Sequence, residues 1–256
     1  MILFDQIIFG PIQSRRLGLS LGVNLLPVDA KICSFDCIYC ECGFNTTMKE
    51  NPLPQRREVQ RALEAKLKEM KEAGQVPDVI TFAGNGEPTL HPQFEPIIAD
   101  TIALRNKYFP TAKVSVLSNS SRIHKPHIMR ALRQVDNNIL KLDTAIDETL
   151  RRLDRPVGRQ MSVEWLIEKL KKFNGELIIQ TMFLRGWYEG VRIDNSSEEE
   201  VSAWLKALKQ IQPKQVMIYT IDRETPVKEL EKVPLDELNR IADKVRAIGI
   251  ETIVSC

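Results

Sequence analysis

The stretch Lys31-Ile32-Cys33-Ser34-Phe35-Asp36-Cys37-Ile38-Tyr39-Cys40 places three thiols within eight residues, in the spacing Cys-x3-Cys-x2-Cys. Thiolates are soft donors, and three of them in one loop suit an iron–sulfur cubane. They would cap three corners and leave the fourth iron without a protein ligand. An open metal position is what separates a reacting site from a structural one. The competing reading is structural zinc, which takes four closed ligands, commonly as two separated pairs. Here the other nearby thiol is Cys42, while His91, His124 and His127 lie far along the chain. Cys42 is close enough to substitute as a ligand but awkward as a fourth. A third reading, three small buried hydrophobes, leaves the spacing unexplained.

On either side of this loop the sequence alternates short apolar runs with longer amphipathic stretches. Strands are predicted at 19–26, 78–83, 113–118, 139–144, 176–183, 215–220 and, most weakly, 251–255. Helices are predicted at 57–73, 93–105, 125–134 and 163–173. Another ends near Ile211 and opens on Ser196-Ser197-Glu198-Glu199, an N-cap followed by acids in the first turn. A last one covers 235–248 and stops at Gly249. Strands alternating with helices of this length imply parallel βαβ units. The predicted fold is α/β, a partial (β/α)6 TIM-like barrel with room for an additional strand. No Pro/Gly/Ser linker divides it, so residues 1–256 are expected to form a single domain. Periodicity does not separate a curved partial barrel from an open doubly wound sheet. Either would put the active site at the C-terminal ends of the strands.

The 36 basic and 34 acidic side chains leave a net charge of +2, too balanced to argue for nucleic acid or a membrane surface. No apolar run approaches the roughly 18 residues that span a bilayer. Residues 1–12 lack the basic start and cleavage site of a leader, so a cytoplasmic location is expected. Five cysteines, an odd number with three clustered, do not make a disulfide framework.

At these residues the sequence resembles the radical S-adenosylmethionine superfamily, whose signature is this cysteine spacing with an aromatic before the last Cys, here Tyr39. Gly84-Asn85-Gly86-Glu87-Pro88 is similar to the family's Gly-Gly-Glu-Pro stretch, with Asn85 in place of a glycine. Ser14-Arg15-Arg16-Leu17-Gly18, followed by Ser20-Leu21-Gly22-Val23, resembles a subfamily of iron–sulfur oxidoreductases distantly similar to the enzymes that build wyosine in tRNA.

The resemblance implies a [4Fe-4S] cluster on Cys33, Cys37 and Cys40, with S-adenosylmethionine chelating the open iron. One electron, from a donor such as flavodoxin or ferredoxin, would then release a 5′-deoxyadenosyl radical that abstracts hydrogen from a substrate. It also implies that Tyr39 faces adenine, that Gly84, Gly86 and Glu87 hold the methionine amino group, and that Ser118, Asn119 and Asp143 bond ribose or carboxylate. Glycines let a backbone approach closely, and carbonyls or a carboxylate suit an ammonium. Without the cysteines, the Gly84–Pro88 residues would read as an ordinary turn, and Asn119 as a helix cap.

The substrate is unread, and small molecule, protein and tRNA all stay open. One alternative is an activase that installs a glycyl radical on a partner protein. Another is tRNA-base modification, although wyosine-type enzymes carry further N-terminal cysteines and residues 1–32 have none. Cys42 and Cys256 cannot replace them. A third, from a different class, is a non-catalytic zinc- or cluster-binding module.

Candidates on the substrate side are Gln180 and Thr181, polar within an apolar central strand, together with Arg185 and Tyr219 near strand ends. Lys141 and Asp143 alternate on one strand and should share a face. Arg15, Arg16, Arg56, Arg57 and the basic residues of 151–159 could meet phosphate, with a solvated charged face as the competing reading.

Overall fold

The computed structural model describes residues 2–46, 52–158 and 161–255; Arg159 and Cys256 lie outside them. The apolar runs pair edge to edge. In chain order the elements are β1 (Ile8–Ser14), β2 (Gly18–Val23), α1 (Arg56–Glu72), β3 (Val79–Phe82), α2 (Phe94–Tyr108), β4 (Lys113–Ser118), α3 (Pro126–Leu132) and β5 (Asn137–Lys141). They continue with α4 (Asp147–Thr149), α5 (Val163–Leu170), β6 (Ile178–Met182), β7 (Leu184–Tyr188), β8 (Val191–Asp194), α6 (Glu198–Ile211), β9 (Gln215–Tyr219), β10 (Leu230–Lys232), α7 (Leu235–Arg246) and β11 (Glu251–Ser255).

The main sheet runs β1-β2-β3-β4-β5-β6-β9-β11. From β2 to β11 every pairing is parallel, so the sheet has the six predicted strands plus the additional one. It curls into a half barrel. The weakest prediction, 251–255, pairs with β9 along its whole length, from Glu251 opposite Gln215 to Ser255 opposite Tyr219. Two features went unpredicted. β1 returns antiparallel on β2, with a register shift between Phe9 and Ile12 that takes up Gly10 and Pro11, residues that break a strand pattern. A small antiparallel sheet, β10-β7-β8, stands beside the barrel.

Alternation sorts each parallel strand between two environments. Leu21, Ile80, Phe82, Val114, Val116, Leu140, Ile179, Val216 and Ile218 pack in the large core under the helices. On the concave face a small separate cluster forms from Ile139, Ile178 and Met217, with Leu17, Leu117 and Ile253 against it. Beyond this plug the lumen turns polar, because Lys141 and Gln180 are register partners.

Helix ends follow local chemistry. The Ser197 hydroxyl accepts from Glu200 N, and Glu198, Glu199 and Glu200 occupy the first turn of α6, complementing the positive end of the helix dipole. Ser197→Ala should cost about 1 kcal/mol, read as a lower urea midpoint with unchanged slope. Helix α7 ends at Arg246, and Gly249 completes the exit with φ +84°. No described helix is long and apolar enough to cross a membrane.

Candidate active site

The cysteine loop leaves the C-terminal end of β2 and is stitched down on both flanks. Ile32 N donates to Asn85 O (2.9 Å) and Glu87 N to Ile32 O (3.1 Å), a parallel bridge between the loop and the Gly84–Glu87 turn. The turn must be glycine at Gly86: its φ is +131°, and a Cβ there would lie 1.8 Å from Ile32 O. Gly84, at φ +145°, backs onto Asn24 Oδ1, 2.4 Å from where its Cβ would be. Asn85, fully buried, accepts from Phe4 N (2.8 Å) and donates to Phe4 O (2.9 Å) and Pro27 O (2.8 Å). Its amide ties the N-terminal segment to the turn, which a glycine could not do. On the opposite flank, Asp36 N donates to Asp154 O (3.0 Å), Ile38 N to Leu153 O (3.0 Å), and Val157 N to Ser34 O (2.8 Å).

Held this way, the three thiols lie within electrostatic reach of one buried cation. Lys31 is 2% exposed, and its ammonium donates to Gly43 O (2.7 Å) and Asp36 Oδ1 (3.4 Å). Burial works against its charge, yet Cys40, Cys33, Cys37 and Asp36 together hold it above the ordinary lysine value. Burial pushes the Cys33 thiol up to about 12, with Glu87 adding to the effect, and burial also raises Cys37. Cys40 moves the other way, down to about 6, because Cys42 bonds its sulfur. Cys42 also lies 3.5 Å from Gly84 O. Asn119 Nδ2 reaches Cys33 Sγ at 3.4 Å, and the Cys37 thiol donates to Asp154 Oδ1 at 3.3 Å. Buried thiols with raised values resist ionising on their own; a metal would deprotonate them. Three soft donors, a counter-cation within their electrostatic reach and amide support for sulfur fit an anionic iron–sulfur centre. A further sign is Asp154 Oδ2, a buried acceptor without a protein partner among the described residues.

Behind the loop lies a buried charged chain. Lys141 Nζ pairs with Asp143 Oδ2 (2.9 Å) and Asp154 Oδ1 (3.7 Å) and bonds the Tyr39 hydroxyl, which also donates to Asp143. Burial opposes the Lys141 charge, but Asp143, Cys37 and Asp154 keep its affinity for the proton well above normal. Burial and the neighbouring Asp143 push the Asp154 carboxyl up. Asp143 Oδ1 takes Met182 N (2.9 Å), locking β5 to β6 at their C-terminal ends. Lys141 and Asp143 thus share a face, as expected.

Other expected residues take definite places. Glu87 is 2% exposed, and its carboxylate is occupied: Oε1 accepts from Thr89 N (3.1 Å), Thr89 Oγ1 (2.5 Å) and Ser118 Oγ (2.9 Å), and Oε2 from Asn119 N (2.6 Å). It fastens the turn to the end of β4. Asn119 does not cap a helix; Oδ1 accepts from Ser121 N (3.0 Å) and Nδ2 donates to Ser34 Oγ (2.9 Å). His91 is structural, with both ring nitrogens engaged: Nδ1 accepts from Gln93 N (3.1 Å) and Nε2 faces Pro54 O (2.8 Å). Burial holds its pKa below 6.5. The unfolded chain therefore takes up this proton first as pH falls. His91 should contribute its full stability above about pH 6.5 and lose it on acidification through the folded value, with a slope of at most about 1.4 kcal/mol per pH unit. Urea midpoints measured down to about pH 5 in wild type and His91→Gln should differ in that slope.

On the substrate side the structure brings Gln180 and Tyr219 together around Arg16. Arg16 Nη1 donates to Gln180 Oε1 (3.2 Å), and the guanidinium lies 4.4 Å from the Tyr219 ring centroid. Thr181 and Arg185 do not join them. Thr181 points to the helix side and gives its hydroxyl to Leu142 O (2.8 Å). Arg185 lies on β7 and bonds Glu237 on α7 and Ser196. Most of the basic stretches are ion-paired: Arg56 with Asp100 (2.6 Å), Arg152 with Glu148 (2.8 Å) and Arg155 with Asp36 (3.9 Å). Sequence reading missed Lys31 and the role of Asp154. An acid inside a basic run was the signal for Asp154, and a lysine two residues before the first cysteine was the signal for Lys31.

The family model described as "Radical SAM superfamily" matches residues 28–192, which hold the cysteine loop, the glycine turn and strands β3 to β7. A UPF0026 protein of Helicobacter pylori is 30% identical over 237 residues, covering 91% of this chain and 71% of that protein. A UPF0026 protein of Synechocystis is 30% identical, covering 88% and 79%. Among solved structures, a radical SAM methyltransferase from Sphaerobacter thermophilus superposes with TM-score 0.65 at 17% identity, over 92% of this chain and 65% of that one. Streptococcus suis SuiB bound to S-adenosylmethionine gives 0.63 at 15% identity, over 89% and 49%. TYW1 with a lysine-pyruvate adduct gives 0.63 at 16% identity, over 89% and 73%. At these identities the solved structures speak for the half-barrel alone, and the chain spans less than two thirds of the first two. With the cysteine loop inside the matched region and the half-barrel beneath it, this chain belongs to the radical SAM superfamily and is, like the members of that superfamily, an enzyme.

Proposed function

We propose that residues 1–256 work as one unit that holds a [4Fe-4S] cluster on Cys33, Cys37 and Cys40, cleaves S-adenosylmethionine reductively and abstracts hydrogen from a substrate bound in the half-barrel. When bound, the cluster and S-adenosylmethionine supply one low-potential electron and a 5′-deoxyadenosyl radical. The protein supplies the rest: positioning, charge balance and exclusion of water. The observation that carries this reading is the double stitching of the cysteine loop, to the Gly84–Glu87 turn on one flank and to residues 153–157 on the other.

In this reading Lys31 balances the charge of three thiolates, and the Asn119 amide supports the Cys33 sulfur. The carbonyls of the Gly84–Gly86 turn receive the methionine amino group. Tyr39, Asp143 and Asp154 face ribose from beneath the loop, where Lys141 pairs with both acids. The electron comes from a soluble low-potential donor such as flavodoxin or ferredoxin.

The test is anaerobic reconstitution with iron and sulfide, then incubation with S-adenosylmethionine and dithionite. A brown protein that releases 5′-deoxyadenosine and methionine is expected. Zinc at one per chain without a chromophore would sink the reading. Cys42→Ala should keep both chromophore and cleavage, because Cys42 supports Cys40 rather than replacing it; loss of the cluster in that variant would mean the ligand set is wrong.

A further inference from the structure

Arg16 stands in the turn between β1 and β2, half-buried, with its guanidinium over the Tyr219 ring and on Gln180 Oε1. Both partners are neutral, and among the described residues no carboxylate pairs with it. A cation drawn partly out of water without a counter-ion is unfavourable. A guanidinium fixed by stacking and one hydrogen bond also keeps its remaining N–H groups aligned for a forked oxyanion.

A cavity of about 340 Å³ opens onto this side chain, a size that suits a small molecule. Its floor includes Ser20 and Thr81, whose hydroxyls are 2.8 Å apart, and the apolar Leu117. Its other charged residues already cancel: Arg15 pairs with Asp222 at 3.4 Å and Arg223 with Glu41 at 2.9 Å. Among the described residues the unmatched charge in the cavity is Arg16. Both of those pairs are substantially exposed, so they add little stability and can part at small cost to admit a ligand. In the strand register Gln180 lies opposite Lys141, and Lys141 reaches Tyr39 and Asp143 beneath the cysteine loop. The cavity is also lined by Glu41, the neighbour of Cys40, so a molecule anchored at Arg16 would lie beside the cysteine loop.

We propose that this cavity binds a small-molecule substrate through a carboxylate or phosphate group held by Arg16, with Gln180 and Tyr219 as positioning residues. What becomes of that substrate rests on the radical reading above; the binding itself does not.

The experiment uses the full chain, reconstituted anaerobically, with S-adenosylmethionine present and no reductant. Inorganic phosphate and glycolate are titrated separately, followed by calorimetry and by ³¹P or ¹³C line broadening. One anion should saturate at one per chain, phosphate pointing to a phosphate ester and glycolate to a carboxylic acid. Arg16→Gln should weaken it at least tenfold, about 1.4 kcal/mol, and Arg16→Lys should recover part of the loss. S-adenosylmethionine affinity by equilibrium dialysis should stay unchanged within about twofold (well under 1 kcal/mol).

Circular dichroism confirms folding, and Arg16→Lys, which keeps the charge, remains informative if the glutamine variant is unstable. The proposal is overturned if neither anion saturates, if Arg16→Gln leaves anion binding unchanged, or if that variant loses S-adenosylmethionine instead. Adding dithionite to the same samples separates the two claims: anion binding without any 5′-deoxyadenosine would overturn the radical reading and leave this one standing.

Discussion

Cys37→Ala should give a folded protein that assembles no stable cluster and releases less than about one hundredth of the wild-type 5′-deoxyadenosine. Loss of a mere outer partner of a metal ligand costs roughly 10–100-fold in affinity or activity, so loss of a ligand costs more. Cys37 is the middle thiol of the loop and sits deepest, 7% exposed, on Asp154. Asn45, which could stabilise an alternative loop geometry, is already committed: its amide spans Cys33 O (3.1 Å) and Phe35 O (3.1 Å). That bracing opposes a rearrangement of the loop that would bring Cys42 into the vacated corner. Iron and sulfide per chain, the visible chromophore and product release measure the outcome. Thermal unfolding of the metal-free variant should stay near that of the metal-free parent, because alanine removes one sulfur and its bond to Asp154 while the backbone hydrogen bonds on both flanks of the loop remain. Retention of full iron content would overturn the assignment of Cys37.

Gly86→Ala should be the most damaging change that touches no cysteine. The residue sits at φ +131°, and its Cβ would meet Ile32 O at 1.8 Å, a backbone atom that cannot swing aside. Strained φ costs about 1–3 kcal/mol and forced overpacking a further 1–3 kcal/mol, so a loss of about 4 kcal/mol is expected in urea denaturation of the metal-free chain. Relief requires the Ile32–Gly86 bridge to part, which frees the cysteine loop on its inner flank. Cluster assembly should therefore fall along with stability. Ala at the exposed Gly74, where a Cβ meets nothing within 4 Å, is the control: it shares a positive φ of +68° but should leave the cluster intact. If Gly86→Ala assembled a full cluster, the turn would not be what holds the loop.

Much of the fold could be read in advance, and for one reason. Strands such as 79–82 and 215–219 are apolar runs broken by helices of regular amphipathic pattern, and a parallel sheet buried on both sides leaves that trace in composition. β1 left none, since Gly10-Pro11 interrupts it and its partner is a neighbour in sequence rather than a repeat of the rhythm. The sheet β10-β7-β8 escaped notice because its strands are short and half-exposed. In the site, Cys33, Cys37, Cys40 and the glycine turn were visible because their chemistry demands particular residue types at close spacing. Thr181 and Arg185 were offered on polarity alone, and polarity does not say whether a hydroxyl faces a lumen or satisfies a neighbouring carbonyl.

The sequence by itself determined the cysteine spacing, the strand–helix alternation and the need for glycine between Ala83 and Glu87, because each depends on residue type and local spacing. Only the tertiary structure decided that Lys31 is buried within electrostatic reach of the thiols, that Glu87 is spent on Ser118 and Asn119, that Asp154 meets Cys37 across 117 positions of chain, and that Arg16 has no counter-ion among the described residues. Charge compensation in a buried site is set by which side chains share one low-dielectric volume. That volume exists only once the sheet has curled and brought distant strand ends together.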